Sequence, residues 1–175
     1  MNIPNLLTII RLLLTPVGAY ALFKNGGNDH RWMIFAWLTF FIIGLTDFFD
    51  GRIARAKNQI TEFGKLLDPI ADKVSIGTAM ISLSLLHRLS WWITAIILIR
   101  EIGVTILRFA VIHNGVIPAS RGGKIKTLMQ GFGVGWYILP LPQRLSIPRA
   151  IFMAIAVVLT VTTGYEYFRS VLRNE

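Results

Sequence analysis

The sequence contains no cysteine, which excludes disulfides and thiolate-held metal outright. Any metal bound by this chain must be held by oxygen or imidazole. Imidazole is itself in short supply: His30, His87 and His113 are loop or helix-end residues without ligand spacing. Charge is also scarce. Charged residues make up 15% of the chain, whereas ordinary soluble domains carry about a quarter. Only nine residues are acidic. The 175 residues show no internal repeat, low-complexity tract or compositional break, so residues 1–175 read as one domain.

What fills the space is apolar. Hydrophobic residues make up 54% of the chain, in long blocks that a soluble core would interrupt with polar faces. A spanning helix needs about 20 largely apolar residues. The blocks predict helices at residues 6–23, 32–53, 63–86, 91–112, 127–141 and 147–168, with the fifth short for a span. The class expected is therefore an all-α polytopic membrane protein of about six spans. Arg11 lies within the first apolar run and no basic residue precedes that run, which is the wrong polarity for a signal peptide. A retained first span is expected. The net charge of +9 would suggest nucleic acid for a soluble protein, but in a membrane chain it suits basic loops facing an anionic leaflet. The basic residues favour both termini inside. Trp91, Trp92, Tyr165 and Tyr167 sit where interfacial aromatic belts form.

Against this apolar background, Asp47, Asp50, Asp68 and Asp72 lie at the facing ends of the second and third blocks. A charge in a spanning segment costs at least ~2.5 kcal/mol on insertion scales, so it signals function by default. The i,i+3 and i,i+4 spacings put each pair on one helix face. Four carboxylates repel one another unless a cation compensates them. An oxygen-only donor set suits Mg2+ or Mn2+. Snorkelling helix-end charges paired with Arg52, Arg55 and Lys73 would account for one or two of the acids, but not for four on matching faces. Gly131, Gly133 and Gly135 look like a nucleotide fingerprint only superficially, and within an apolar span they suit close helix packing.

The spacing Asp47-x2-Asp50-Gly51-x2-Ala54-Arg55-x8-Gly64-x3-Asp68-x3-Asp72 holds eight fixed positions in 26 residues. It resembles the signature of the CDP-alcohol phosphotransferase family without a departure. Further blocks carry the resemblance: Pro4-Asn5-Leu6-Leu7-Thr8, Arg100-Glu101-Ile102-Gly103, and Pro118 to Thr127. It implies a homodimer of six-span protomers in the bacterial cytoplasmic membrane, with a cytoplasm-facing polar cavity holding two divalent ions. Asp47, Asp50 and Asp68 match metal ligands, and Asp72 matches a ligand that also serves as general base. Gly51, Arg55 and Thr61 match contacts to the CDP moiety. Asn5 and Thr8 lie where the family's N-terminal segment approaches the nucleotide, and Ala54 and Gly64 match small positions lining that pocket. The block pattern also implies CDP-diacylglycerol as donor and glycerol 3-phosphate as acceptor, giving phosphatidylglycerophosphate and CMP.

The acceptor phosphate needs cations of its own, and Arg108, Arg121 and Lys126 are the candidates. Arginine forks suit phosphate oxygens. The Arg100–Glu101 pair inside the fourth block has a simpler account as an intramembrane ion pair. Two alternatives stay open. The acceptor could be inositol phosphate, serine or phosphatidylglycerol. The aspartates could instead be a transit site in a divalent-cation transporter, although such sites lie near the bilayer midplane between repeats.

Overall fold

The computed structural model describes the backbone of residues 3–56, 62–110 and 121–173, and the side chains of residues 6–46, 67–107, 122–123 and 125–171. Every regular element among the described residues is helical. The chain runs through α1 (Ile3–Phe23), α2 (His30–Ala56), α3 (Glu62–Leu85), α4 (Trp91–Ala110), α5 (Arg121–Ile138) and α6 (Ser146–Arg173), with short 3-10 turns at Lys24–Gly27 and Gln143–Leu145. Two compact units emerge: Met1–Leu89 with Val134–Pro140, and Ser90–Gly133 with Leu141–Glu175.

In the first unit α1 packs against both α2 and α3. Its buried positions Thr8, Arg11, Thr15, Gly18 and Leu22 alternate three and four residues apart, the repeat that keeps one stripe of a helix against its neighbours. At Gly18 an added Cβ would lie 2.9 Å from the Phe40 ring, so only glycine lets α1 approach α2 this closely. The α1–α2 turn follows from its composition. Asn25, Gly26 and Gly27 take φ values of 52°, 67° and 75°, a left-handed run that glycine and asparagine tolerate best. Arg88 Nη2 donates to the Gly27 carbonyl at 2.6 Å and ties this turn to the start of the α3–α4 connection. Asp29 caps α2, accepting the Arg31 backbone N–H at Oδ1 over 2.9 Å. The Asn25 side-chain amide, donated to Oδ2 at 2.9 Å, is the main reason that carboxyl is held below its usual range.

In the second unit α4 packs on α6. The buried positions of α6, Met153, Ala156, Thr160 and Thr163, again follow the three-four spacing. The glycines expected to admit close packing do so in part: a Cβ at Gly133 would meet Met153 at 2.9 Å, whereas Gly131 has nothing within 4 Å.

Both units bury hydroxyls alongside their apolar core and expose bulky apolar side chains. Hydroxyls such as Thr8, Thr15, Ser75, Thr94 and Thr160 are buried, whereas Leu13, Trp92, Ile99, Phe132 and Ile147 face outward. Small hydroxyl residues inside and bulky apolar ones outside are what lipid-embedded helices select. Leu6–Gly27 and Gln143–Val171 are long and apolar enough to cross a membrane, with hydropathies of 1.8 and 2.0. At 1.5 Å per residue even the shorter covers about 33 Å, enough for a hydrocarbon core of about 30 Å.

The largest departure from the expected helix boundaries is at the start of α5. The glycine pair Gly122–Gly123 suggests a loop up to residue 126, yet α5 begins at Arg121. The reason is tertiary. Starting the helix early brings Lys126 and Gln130, one turn apart, onto partners in α4 and α6, and such contacts outweigh the roughly 1 kcal/mol helix penalty of a glycine.

Candidate active site

The α2 part of the acid motif lies in that helix's last turns, where the backbone at Asp47, Asp50, Gly51, Ala54 and Arg55 is helical. Gly64 falls in the first turn of α3. The side chains of these residues, and of Asn5, lie outside the described residues, as does Thr61 altogether. Residues 57–61 are all that separate the end of α2 from the start of α3. So short a link makes the helices antiparallel neighbours, with both acid pairs towards the same end of the unit.

On α3, Asp68 and Asp72 are described, both partly exposed, with the fully buried Ala71 between them. One helical turn apart, they share a face. Pro69 sits inside this helix. Lacking an N–H, it removes one rung of the helical ladder in the turn that carries the acids. Lys73 turns away from the pair, its Nζ donating to the Pro69 carbonyl at 3.3 Å.

The acids are approached from α1. Thr8 is fully buried, and its hydroxyl donates to Asp68 Oδ1 at 2.5 Å. Two turns on, the Thr15 and Ser75 hydroxyls meet at 2.7 Å, and Thr15 also donates to the Arg11 carbonyl at 2.9 Å. The two cross-links are seven residues apart on each helix and share a separation of 60 in sequence. Such a register requires α1 and α3 to run parallel. It also sets Arg11, 1% exposed, level with Ala71 and Asp72 along the helix pair. A buried guanidinium demands anionic company. In α1 that demand arises at the height of the α3 acids.

A different polar cluster occupies the second unit. Arg100 Nη1 lies 3.1 Å from Glu101 Oε1, and Arg100 Nη2 donates to Thr163 Oγ1 at 3.1 Å. Lys126, 2% exposed, also donates to Glu101 Oε1. Gln130 Nε2 donates to Thr160 Oγ1 at 2.8 Å. One carboxylate thus receives two cations, and α4, α5 and α6 are stitched together by side chains. Gly164 belongs to this joint, since a Cβ there would lie 3.0 Å from Arg100 Cγ. Of the residues expected to serve the acceptor phosphate, Lys126 is placed here, whereas the side chains of Arg108 and Arg121 lie outside the described residues.

Asp68 and Asp72 offer only oxygen donors, one turn apart on a face that is not closed over, and this donor chemistry fits a hard divalent cation. The hydrogen bond from Thr8 engages one carboxylate oxygen of Asp68, Oδ1.

Comparison with known proteins places this geometry. A family model described as CDP-alcohol phosphatidyltransferase matches residues 1–162. The chain belongs to that family and is a transferase. Its relatives narrow the likeness. A Mycobacterium tuberculosis protein named "Probable phosphatidylglycerophosphate synthase" is 49% identical over 173 residues, covering 99% of this chain and 83% of that protein. A Rickettsia felis protein named CDP-diacylglycerol–glycerol-3-phosphate 3-phosphatidyltransferase is 38% identical over 174 residues, covering 97% of this chain and 94% of that protein. A Salmonella typhimurium protein of the same name is 37% identical over 149 residues, with 78% and 76% covered.

Three features of these clusters escape a reading of the sequence alone: the partner of Thr8, the burial of Arg11, and the capture of Lys126 by Glu101. A signal for the first is present. The hydroxyls of Thr8 and Thr15 repeat at seven residues, as do the polar positions Asp68 and Ser75.

Proposed function

We propose that this chain is a six-span protein of the bacterial cytoplasmic membrane, residues 1–175 acting as one membrane domain. It transfers the phosphatidyl group of CDP-diacylglycerol to glycerol 3-phosphate, giving phosphatidylglycerophosphate and CMP for phospholipid synthesis. The observation that carries this is the acid face of α3, with Asp68 and Asp72 one turn apart and partly exposed, in a chain whose relatives bear that enzyme's name.

In this reading Asp47, Asp50, Asp68 and Asp72 hold divalent metal, Mg2+ or Mn2+, as two ions. When bound, the metal neutralises the pyrophosphate and the departing phosphate. Asp72 takes the proton from the primary hydroxyl of glycerol 3-phosphate. The hydroxyl oxygen then forms a bond to the lipid-bearing phosphorus while the bond from that phosphorus to the CMP oxygen breaks. Phosphoryl transfer of this kind needs alignment and charge stabilisation more than covalent chemistry. Asn5, Gly51, Ala54, Arg55, Thr61 and Gly64 serve the CDP side. Arg108 and Arg121 serve the acceptor phosphate. Lys126 contributes through its cluster, where it and Arg100 both pair with Glu101. The cavity faces the cytoplasm, both termini lie inside, and the protein works as a homodimer.

An acceptor panel tests the assignment. Purified protein is given CDP-diacylglycerol, Mg2+ or Mn2+, and one alcohol at a time, and CMP release is followed. Release with glycerol 3-phosphate alone is expected. Release with inositol phosphate, serine or phosphatidylglycerol in its place would reassign the acceptor.

A further inference from the structure

We infer that Thr8 is a positioning residue for the metal ligand Asp68, acting through its hydroxyl on Oδ1 rather than on the nucleotide. This rests on the proposed role of Asp68 as a ligand. Thr8 is wholly enclosed, so its hydroxyl must find its partner inside the protein. That partner is the carboxylate of Asp68, 60 residues away in sequence and on another helix.

The contact is built in rather than incidental. The Thr15–Ser75 bond repeats it one heptad along both helices, so sliding α1 against α3 by a single residue would break both bonds together. Buried Arg11 sits between them on the same stripe of α1. α1 therefore presents one hydroxyl, at a set height and angle, to one oxygen of one acid. A carboxylate so held has its plane and rotamer chosen before any ion arrives. Its other oxygen, Oδ2, remains the atom through which metal would be taken. Ligating carboxylates are commonly oriented this way by a hydrogen-bonding partner in an outer shell. The threonine methyl helps, since two heavy substituents on Cβ restrict χ1 and keep the hydroxyl pointed at α3.

A residue touching the nucleotide and one aiming a metal ligand fail differently when altered. The test uses the full chain in detergent, with Thr8→Val, which keeps shape and removes the hydroxyl, and Thr8→Ser, which keeps the hydroxyl. Mn2+ binding without substrate is read from the electron paramagnetic resonance signal of the free ion. The KM for CDP-diacylglycerol is measured at saturating Mn2+. Thr8→Val is expected to weaken Mn2+ binding about 10- to 100-fold, the usual cost of losing an outer-shell partner. Thr8→Ser should stay near wild type, and the KM should barely move in either. Unchanged Mn2+ binding with a raised KM would overturn the inference and return Thr8 to the nucleotide. Equal losses in both variants would overturn it too, because packing rather than the hydroxyl would then matter. Should Thr8→Val not be recovered folded, Thr8→Ala carries the same expectation. Asp68→Asn is the control: if it binds Mn2+ like wild type, the ligand assignment itself falls, and the inference with it.

Discussion

Both units of this protein place partly exposed carboxylates among apolar helices, but they treat them in opposite ways. In the second unit Glu101 is saturated, receiving Arg100 and Lys126 on one oxygen while Arg100 reaches on to Thr163. In the first unit Asp68 and Asp72 stand on one face, and the partner shown for Asp68 is a neutral hydroxyl. An acid matched by cations holds helices together. Acids on a partly open face can take up a ligand. In the second unit the cost of placing charge among apolar helices is met by internal pairing.

The comparison breaks if the two kinds of acid respond alike to neutralisation. Asp72→Asn carries the largest expected effect, a fall in kcat of about 10²- to 10⁴-fold, the range of general base catalysis. A rate near wild type with metal still bound would remove Asp72 as the base. Glu101→Gln should show the converse. It leaves two enclosed cations without their anion, a change that costs about 3–5 kcal/mol, read as an early thermal transition by tryptophan fluorescence. Mn2+ affinity should hold, and the double variant Glu101→Gln/Lys126→Met should recover part of the loss. A smaller effect belongs to Thr15→Val, which removes the heptad partner of the Thr8 contact. Hydrogen bonds between membrane helices average about 0.6 kcal/mol with a maximum near 1.7, so a modest fall in melting temperature is expected. Smallest is Asp29→Asn at the α2 cap. Because the folded carboxyl is held below its ordinary value of 3.8, its contribution is fully present above that value. It is lost as pH falls through the lower folded value. Wild type and variant should therefore differ in melting temperature at neutral pH and converge in acid.

Most of the fold was legible in the sequence because it rests on local signals. The apolar blocks mark six helices, and Asn25-Gly26-Gly27 marks the first turn. The acid pairs are legible for the same reason, since Asp47/Asp50 and Asp68/Asp72 are spaced at one turn on single helices. The structure adds what depends on contacts between helices. Gly122 and Gly123 read as a breaker until Lys126 is seen against Glu101, and the contact of Thr8 with Asp68 emerges only when α1 is set beside α3. Arg11 illustrates the limit most clearly. In sequence it only breaks the polarity of an apolar run, whereas in the structure it is enclosed at the height of the acids.

The most direct measurement of the central claim is a product balance. Purified protein, CDP-diacylglycerol, glycerol 3-phosphate and Mg2+ are incubated, and CMP and lipid products are quantified together by mass spectrometry. The account predicts phosphatidylglycerophosphate appearing one for one with CMP. CMP accompanied by phosphatidic acid, which marks attack by water, or no CMP at all, would contradict it.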